Sequence, residues 1–377
     1  MKIALAVVAY NEDKYLPALL EDVKKQTYPH DQMEVLLVDS ASEDGTRAVM
    51  EEFAAMGYGE MPDGEFARIW IGDNPKKRQS AGWNVAIEEF LAETSEPAQA
   101  LIRVDAHARI PKEFVASCVK ALGDTEYIVG GVRPTICESE GALAKTLWMA
   151  EESMFGSSVS VARRSSPDRS GASEEESEEH HQSADWGKEI VPEKPEDRTY
   201  VKSLFHACYR REVIEKAGGF REDLGRTEDN EYHYRIRKLG YKIYRSPDIY
   251  SEQYVRPSFG KMIKQKTGNG FWIGRTLGFV PGCISIYHLV PLAFLLAIVA
   301  STVLAVLGLT WSLQLLVSLY LSVAVLMAVY SVFKLQYAGE RVPAAAFALP
   351  LIFFCLHVCY GAGTFLGILS IPFGRKK

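Results

Sequence analysis

Between Glu252 and Glu340 the chain contains no aspartate or glutamate. It also lacks Lys and Arg within three almost wholly apolar runs, Ile284–Gly308, Trp311–Phe333 and Ala344–Ile371. Each run reaches the about 20 residues that a helix needs to cross a bilayer. One such run can be a buried core helix, but three in succession point to membrane insertion. The absence of charge at membrane depth excludes a small transporter, whose pathway needs polar groups there. No CxxC pair occurs among Cys118, Cys137, Cys208, Cys283, Cys355 and Cys359. That excludes a zinc cluster or disulfide framework and fits a reducing compartment. Basic residues are not in excess: 42 Lys and Arg stand against 48 Asp and Glu, a net charge of −6, so no nucleic-acid partner is expected. No internal repeat is present. The apolar start lacks a cleavage-like spacer and runs at once into Asn11-Glu12-Asp13-Lys14. It reads as a first β-strand rather than a signal peptide, which leaves the catalytic part in the cytosol.

The first two thirds alternate strand and helix. Ile3–Ala9, Glu34–Asp39, Ala67–Ile71 and Ala100–Val104 read as strands, and Lys14–Gln26, Asp44–Met56 and Arg78–Ala92 as helices. Continuous Val/Ile/Leu strands between helices predict an α/β fold on a parallel sheet covered on both faces. Ligand sites in such sheets lie beyond the carboxyl ends of the strands. Residues 156–199 break the pattern with Ser, Glu and Arg and read as a solvated insertion. A metal site from His180 and His181, or a lid or acceptor loop, are the alternatives there. Residues 256–283 are basic with aromatics interspersed and suit a helix at the headgroup layer, or else an ordinary packing helix of the catalytic domain. Arg256, Lys261, Lys264, Lys266 and Arg275 place that side in the cytosol. Three full crossings would then put the basic tail, 372–377, outside, against the same rule. The last apolar segment, with Gly361, Gly363 and Gly367, is the candidate for a re-entrant or interfacial path.

Polar clusters follow the strands. Ala9-Tyr10-Asn11-Glu12 follows the first, Asp39-Ser40-Ala41-Ser42-Glu43-Asp44-Gly45-Thr46 the second, and Asp105-Ala106-His107 a later one. Asp44 reads as a helix cap; Asp39 fits that role less well, because it ends the strand itself. Asp105 and His107 are two apart, so an extended backbone would turn both to one side, where carboxylate and imidazole suit a divalent cation.

In order, VAYNEDKYLPALLEDVKKQTYP, EVLLVDSASEDGT, RQSAGWNVAI, DAH, GGFRE and TEDNEY resemble the motifs of family 2 glycosyltransferases. The resemblance covers residues 1–255, and the subgroup it points to is the succinoglycan-type exopolysaccharide glucosyltransferases. It implies a GT-A fold, with a Rossmann-like nucleotide-binding half and an acceptor half, followed by a C-terminal α-helical membrane region at 284–371. It implies a nucleotide-sugar donor, a UDP-hexose, and a divalent cation, Mn²⁺ or Mg²⁺. By position, Ala9, Tyr10, Glu12 and Asp39 would hold the nucleoside, and Arg78 the diphosphate. Asp105 would meet ribose or metal, His107 the metal, and Asp229 would be the catalytic base, with Glu228 as the alternate. Glu228, Asp229 and Glu231 also open a helical stretch, where acidic residues are favoured electrostatically whatever their chemistry.

Two departures stand out. His107 replaces the usual second aspartate of DxD, and the softer imidazole favours Mn²⁺. The Gln-x-x-Arg-Trp motif of processive synthases has only a partial counterpart in Gln265 to Trp272, without the arginine. A polymer-extruding synthase is therefore not expected. The expected activity is inverting transfer of one sugar to a saccharide on a polyprenyl diphosphate carrier in exopolysaccharide or cell-surface glycan synthesis. A polyprenyl-phosphate sugar synthase and, from another class, a non-catalytic membrane scaffold are the alternatives.

Overall fold

The computed structural model describes residues 1–56, 65–156, 198–255 and 258–374. Most of the 156–199 insertion, including His180 and His181, lies outside them, as do Arg256 and the three terminal basic residues.

Four strands lie side by side and parallel: β1 (Ile3–Ala9), β2 (Met33–Asp39), β3 (Arg68–Asp73) and β4 (Ala100–Asp105). They form one side of a seven-stranded sheet completed by β8 (Ala207–Arg210), β6 (Ile128–Val132) and β9 (Tyr244–Tyr250), in the order β3-β2-β1-β4-β8-β6-β9. Here the structure corrects the expectation of a wholly parallel sheet. β8 runs antiparallel to both β4 and β6, so the sheet is mixed. A second, three-stranded sheet joins β5 (Ala108–Arg109), β10 (Glu252–Val255) and β7 (Thr135–Cys137).

Alternation along β1 feeds two cores. Ile3, Leu5 and Val7 pack with α1 (Leu16–Lys24), α2 (Thr46–Met56) and α4 (Phe114–Leu122). Ala4 and Ala6 face α3 (Gln79–Leu91), α6 (Arg211–Ala217) and α7 (Glu228–Lys238). Burial on both faces explains why these strands are apolar without interruption. Arg103 is the exception in β4, only 3% exposed.

A third core joins α5 (Ala142–Glu152) and α8 (Phe259–Thr276) to α10 (Trp311–Tyr337) and α11 (Leu349–Leu369), while α9 (Val290–Val306) packs on the outside against α10 and α11. Three stretches, Ile286–Val306, Trp311–Tyr337 and Ala344–Leu369, are long and apolar enough to cross a membrane. Most of the side chains of α9 and α10 face outward, as lipid contact requires. α11 is an unbroken helix, and its glycines lie against neighbouring backbone rather than at a break: a Cβ on Gly361 would come 2.4 Å from the Pro291 carbonyl oxygen.

Candidate active site

The register aligns Ala9 with Asp39, Asp39 with Asp73, and Val8 with Asp105, so four strands end along one edge. Just beyond that edge Asn11, Ala41 and Lys77 all have φ of 54°. Alanine and lysine rarely adopt this left-handed conformation, and three such residues in adjacent loops mark a shaped site. Cross-loop hydrogen bonds hold them. The Asn11 amide donates to Ser42 Oγ at 3.1 Å, and the Glu43 amide to Asn11 Oδ1 at 2.8 Å. The Glu12 amide donates to Thr46 Oγ1 at 2.7 Å.

Within this frame Asp44 is a cap. Its carboxylate accepts from the Thr46 amide at 3.0 Å and the Asp13 amide at 3.3 Å. Asp39 is buried and accepts from the Ser42 amide at 3.1 Å, which braces the loop after β2. Ala9 has its side chain in the core, and its carbonyl accepts from the Ser40 amide at 2.9 Å. Tyr10 is exposed, with Lys77 Nζ 5.4 Å from its ring centroid.

Asp105 ends β4, and His107 lies in the turn that follows. Their side chains are brought together by that turn, not by strand alternation as the spacing implied. Both meet Gln253, whose Nε2 is 3.2 Å from Asp105 Oδ2 and 2.5 Å from His107 Nε2. β10 aims the glutamine there, because Gln253 pairs with Ala108 and the Tyr254 amide donates to the His107 carbonyl at 2.9 Å. His107 Nδ1 is 3.4 Å from Glu12 Oε1. Nδ1 thus faces a carboxylate and Nε2 faces the Gln253 amide.

Behind Asp105, His206 Nε2 is 3.4 Å from Oδ2, and His206 Nδ1 is 2.8 Å from Ser251 Oγ. Burial pulls the Asp105 carboxyl up, but His206, His107 and Arg133 outweigh it and hold the group well below the usual carboxylate range. Burial lowers His206 below its ordinary value, against the pull of Asp105. Arg133 stands 4.1 Å over the Phe205 ring, and its Nε and Nη1 are buried without a partner among the described residues.

An amide NH₂ between a carboxylate oxygen and an imidazole nitrogen occupies the place a cation would take. Asp105 and His107 therefore fit a divalent ion. Among the described residues no group of three or more His, Cys, Asp or Glu forms a complete cage. A cation held here would need further oxygen ligands from a bound phosphate.

Two residues back on β4, Arg103 Nη2 donates to Asp229 Oδ1 at 3.0 Å. The guanidinium lies 4.4 Å over Trp83 and 4.5 Å over Phe220, which fixes its plane. Asp229 has a side chain 27% exposed, so it is anchored yet reachable. Glu228 beside it is buried, with Oε2 unpartnered among the described residues. Burial, reinforced by the negative charge of Asp229, pushes the Glu228 carboxyl up to about 7.

Arg78 precedes α3, is exposed, and donates to the Glu222 carbonyl at 2.9 Å. Asn84 of α3 binds the same segment: its Oδ1 accepts from the Phe220 amide at 2.6 Å, and its Nδ2 donates to the Phe220 carbonyl at 2.9 Å. GGFRE is thereby tied to RQSAGWN. Gln265 is exposed on α8, whereas Trp272 is half-buried and lies against Gly225.

Residues 5–216, more than half of the chain, match the sequence profile of Glycosyl transferase family 2. The chain belongs to that family. It is 27% identical over 304 residues to the succinoglycan biosynthesis protein ExoA of Rhizobium meliloti (strain 1021), covering 78% of each chain. It is 24% identical over 379 residues to a dolichyl N-acetyl-alpha-D-glucosaminyl phosphate 3-beta-D-2,3-diacetamido-2,3-dideoxy-beta-D-glucuronosyltransferase of Methanococcus voltae, covering 98% of this chain and 97% of that one. Among solved structures, the mannosyltransferase PcManGT of Pyrobaculum calidifontis, in complex with GDP-Man and Mn²⁺, superposes with a TM-score of 0.53 at 17% identity. It covers 100% of this chain and 88% of that one, and at this identity the likeness establishes the GT-A fold.

In this family 2 glycosyltransferase, four residues around the carboxylates escape a reading of local motifs. His206, Ser251 and Gln253 come from segments about 100 residues or more beyond Asp105. They carry no signature of their own. Arg103 does leave a signal, as a lone charge inside the apolar strand ALIRVD. A buried arginine demands an anion, and Asp229 supplies it.

Proposed function

We propose that this glycosyltransferase moves one sugar, with inversion, from a nucleotide-sugar of the UDP-hexose type to a lipid-linked saccharide. The setting is exopolysaccharide or cell-surface glycan assembly on a polyprenyl diphosphate carrier at the cytosolic membrane face. The observation that carries the reading is the placement of two carboxylate centres along one strand. The end of β4 holds Asp105, opposite His107, while Arg103 of the same strand holds Asp229.

In this reading the loops after β1 and β2 take the nucleoside, with Tyr10, Glu12 and Asp39 around it and the Ala9 backbone at its floor. Arg78 faces the diphosphate. Asp105 and His107 would hold a divalent cation, Mn²⁺ over Mg²⁺, which would supply positive charge against the nucleoside diphosphate. Asp229 takes the proton of the acceptor hydroxyl as the new C–O bond forms at the anomeric carbon. The bond from that carbon to the diphosphate oxygen breaks, and its electron pair leaves with the nucleotide. Attack from the opposite face inverts the centre, so a UDP-α-sugar gives a β-linked product. Arg103 keeps Asp229 in one orientation and screens it from Glu228.

The exposed face of α8, with Lys261 and Lys264, suits the headgroup layer, and the helices of 284–371 would anchor the domain beside its acceptor. Two relatives of this chain are named for polysaccharide or dolichyl-linked glycan synthesis, which supports a lipid-borne acceptor. The test is a donor screen by nucleotide release, using full-length protein, Mn²⁺ or Mg²⁺, and a membrane lipid extract. Release with a UDP-hexose that depends on the extract supports the proposal. No release with any nucleotide-sugar would reject it.

A further inference from the structure

Helix α8 is bound on two sides. Toward α11 the contact is made by glycines. A Cβ on Gly270 would come 2.1 Å from the Tyr360 carbonyl oxygen, and one on Gly274 2.1 Å from that of Thr364. The reverse holds as well: a Cβ on Gly363 would come 2.1 Å from the Thr267 carbonyl oxygen, and one on Gly367 2.0 Å from that of Phe271. Each helix thus carries a Gly-xxx-Gly pair, and the partners rise together in number, so the helices run parallel with their backbones in contact. Small residues let the two backbones touch and fix the helices at one spacing, and such a seam has no side-chain slack.

The other side of α8 grips the segment before Glu228. Thr276 Oγ1 and Thr227 Oγ1 are hydrogen-bonded at 2.7 Å, both residues being buried. Arg226 Nη1 donates to Asn269 Oδ1 at 3.0 Å. The Trp272 ring covers Gly225, where a Cβ would meet it at 2.4 Å. Thr227 stands immediately before α7, and its carbonyl accepts from the Glu231 amide at 3.0 Å. It therefore sets where the first turn of α7, with Asp229, begins.

We propose that α11 positions the catalytic carboxylate through α8, with Thr276 as the positioning residue at the junction. The membrane tail is then a structural part of the catalytic site as well as an anchor. This rests on the reading of Asp229 as the base. A shift of about 1 Å in a reacting group costs on the order of 100-fold in rate, so a small displacement of α8 is enough to matter.

The test uses full-length protein in lipid nanodiscs and a UDP-hexose that turns over with a membrane lipid extract, with UDP–Mn²⁺ binding measured in parallel. Thr276→Val, which keeps the shape and removes the hydroxyl, lowers kcat about 10-fold or more while donor KM and UDP affinity stay within about 3-fold. Thr276→Ser restores kcat to within about 3-fold of the parent. Gly367→Ala, in the seam between α11 and α8, shows the same split of kcat from KM. Unchanged kcat in Thr276→Val, failure of serine to restore it, or loss of UDP binding in step with kcat would each overturn the proposal. Asp229→Asn in the same assay separates the two ideas. If it retains turnover, the base assignment fails. If it is inactive while Thr276→Val is fully active, only the coupling fails.

Discussion

Arg103 and Asp229 form a 3.0 Å ion pair in which the cation is buried and the anion is partly open to solvent. The asymmetry matters. A fully buried base would not reach an acceptor hydroxyl, and a free surface carboxylate would not hold one orientation. Arg103→Met should leave Asp229 and Glu228 without their nearest cation. Transfer should fall about 100-fold, and the loss should appear mainly in kcat. Steady-state kinetics check this; a change in KM alone would show that the pair serves binding instead.

Glu228 makes stability depend on pH. Its folded carboxyl is raised to about 7 from an ordinary value of 4.5, by burial first and Asp229 second. The unfolded chain ionises first, so the contribution of the protonated form is complete below about 4.5 and is lost as pH rises to about 7. Glu228→Gln escapes that loss. The stability advantage of the variant should grow by about 1.4 kcal/mol per pH unit in this window and stay flat above it. Unfolding of both proteins across pH 4–9 measures the gap, and a constant gap would refute the buried, protonated state.

His107→Asp restores two carboxylates around the Gln253 amide. The preference for Mn²⁺ over Mg²⁺ should narrow or reverse, because the imidazole is the softer ligand. The ratio of nucleotide release in the two metals reads this directly. An unchanged ratio would remove His107 from the cation site.

Asn84→Ala cuts both hydrogen bonds from α3 to Phe220 and leaves buried backbone groups unpaired. Stability should drop by roughly 2 kcal/mol. Because Arg78 donates to the same segment, donor KM should rise as well. Chemical unfolding and donor titration check the two effects separately.

Much of the fold is legible because its strands are simple. β1, β2 and β4 are buried on both faces, and a largely apolar strand between helices has few other readings. β8 is not legible as an antiparallel insert. It has four residues, and its direction follows from the chain's return after the 156–199 insertion rather than from its own composition. Asp39 and Asp105 are visible as motifs at strand ends, and Asp229 in an acidic run that opens a helix. Their supports are not, because Gln253 and His206 reach Asp105 only through long-range pairing. The left-handed residues Ala41 and Lys77 are invisible for another reason: neither type prefers that conformation, and the surrounding loops impose it. The glycines of α11 are plain in the sequence, but their meaning lies in α8, some 90 residues earlier. In the sequence they suggest a re-entrant or interfacial path; in the structure they form one side of a helix seam.

The base assignment is tested most directly by Asp229→Asn in full-length protein, with transfer to a lipid extract and UDP–Mn²⁺ binding measured on the same sample. Transfer should fall about 100- to 10,000-fold, and UDP affinity should stay within about 3-fold of the parent. Turnover within 10-fold of the parent enzyme would contradict the assignment and move the search for the base to Glu228.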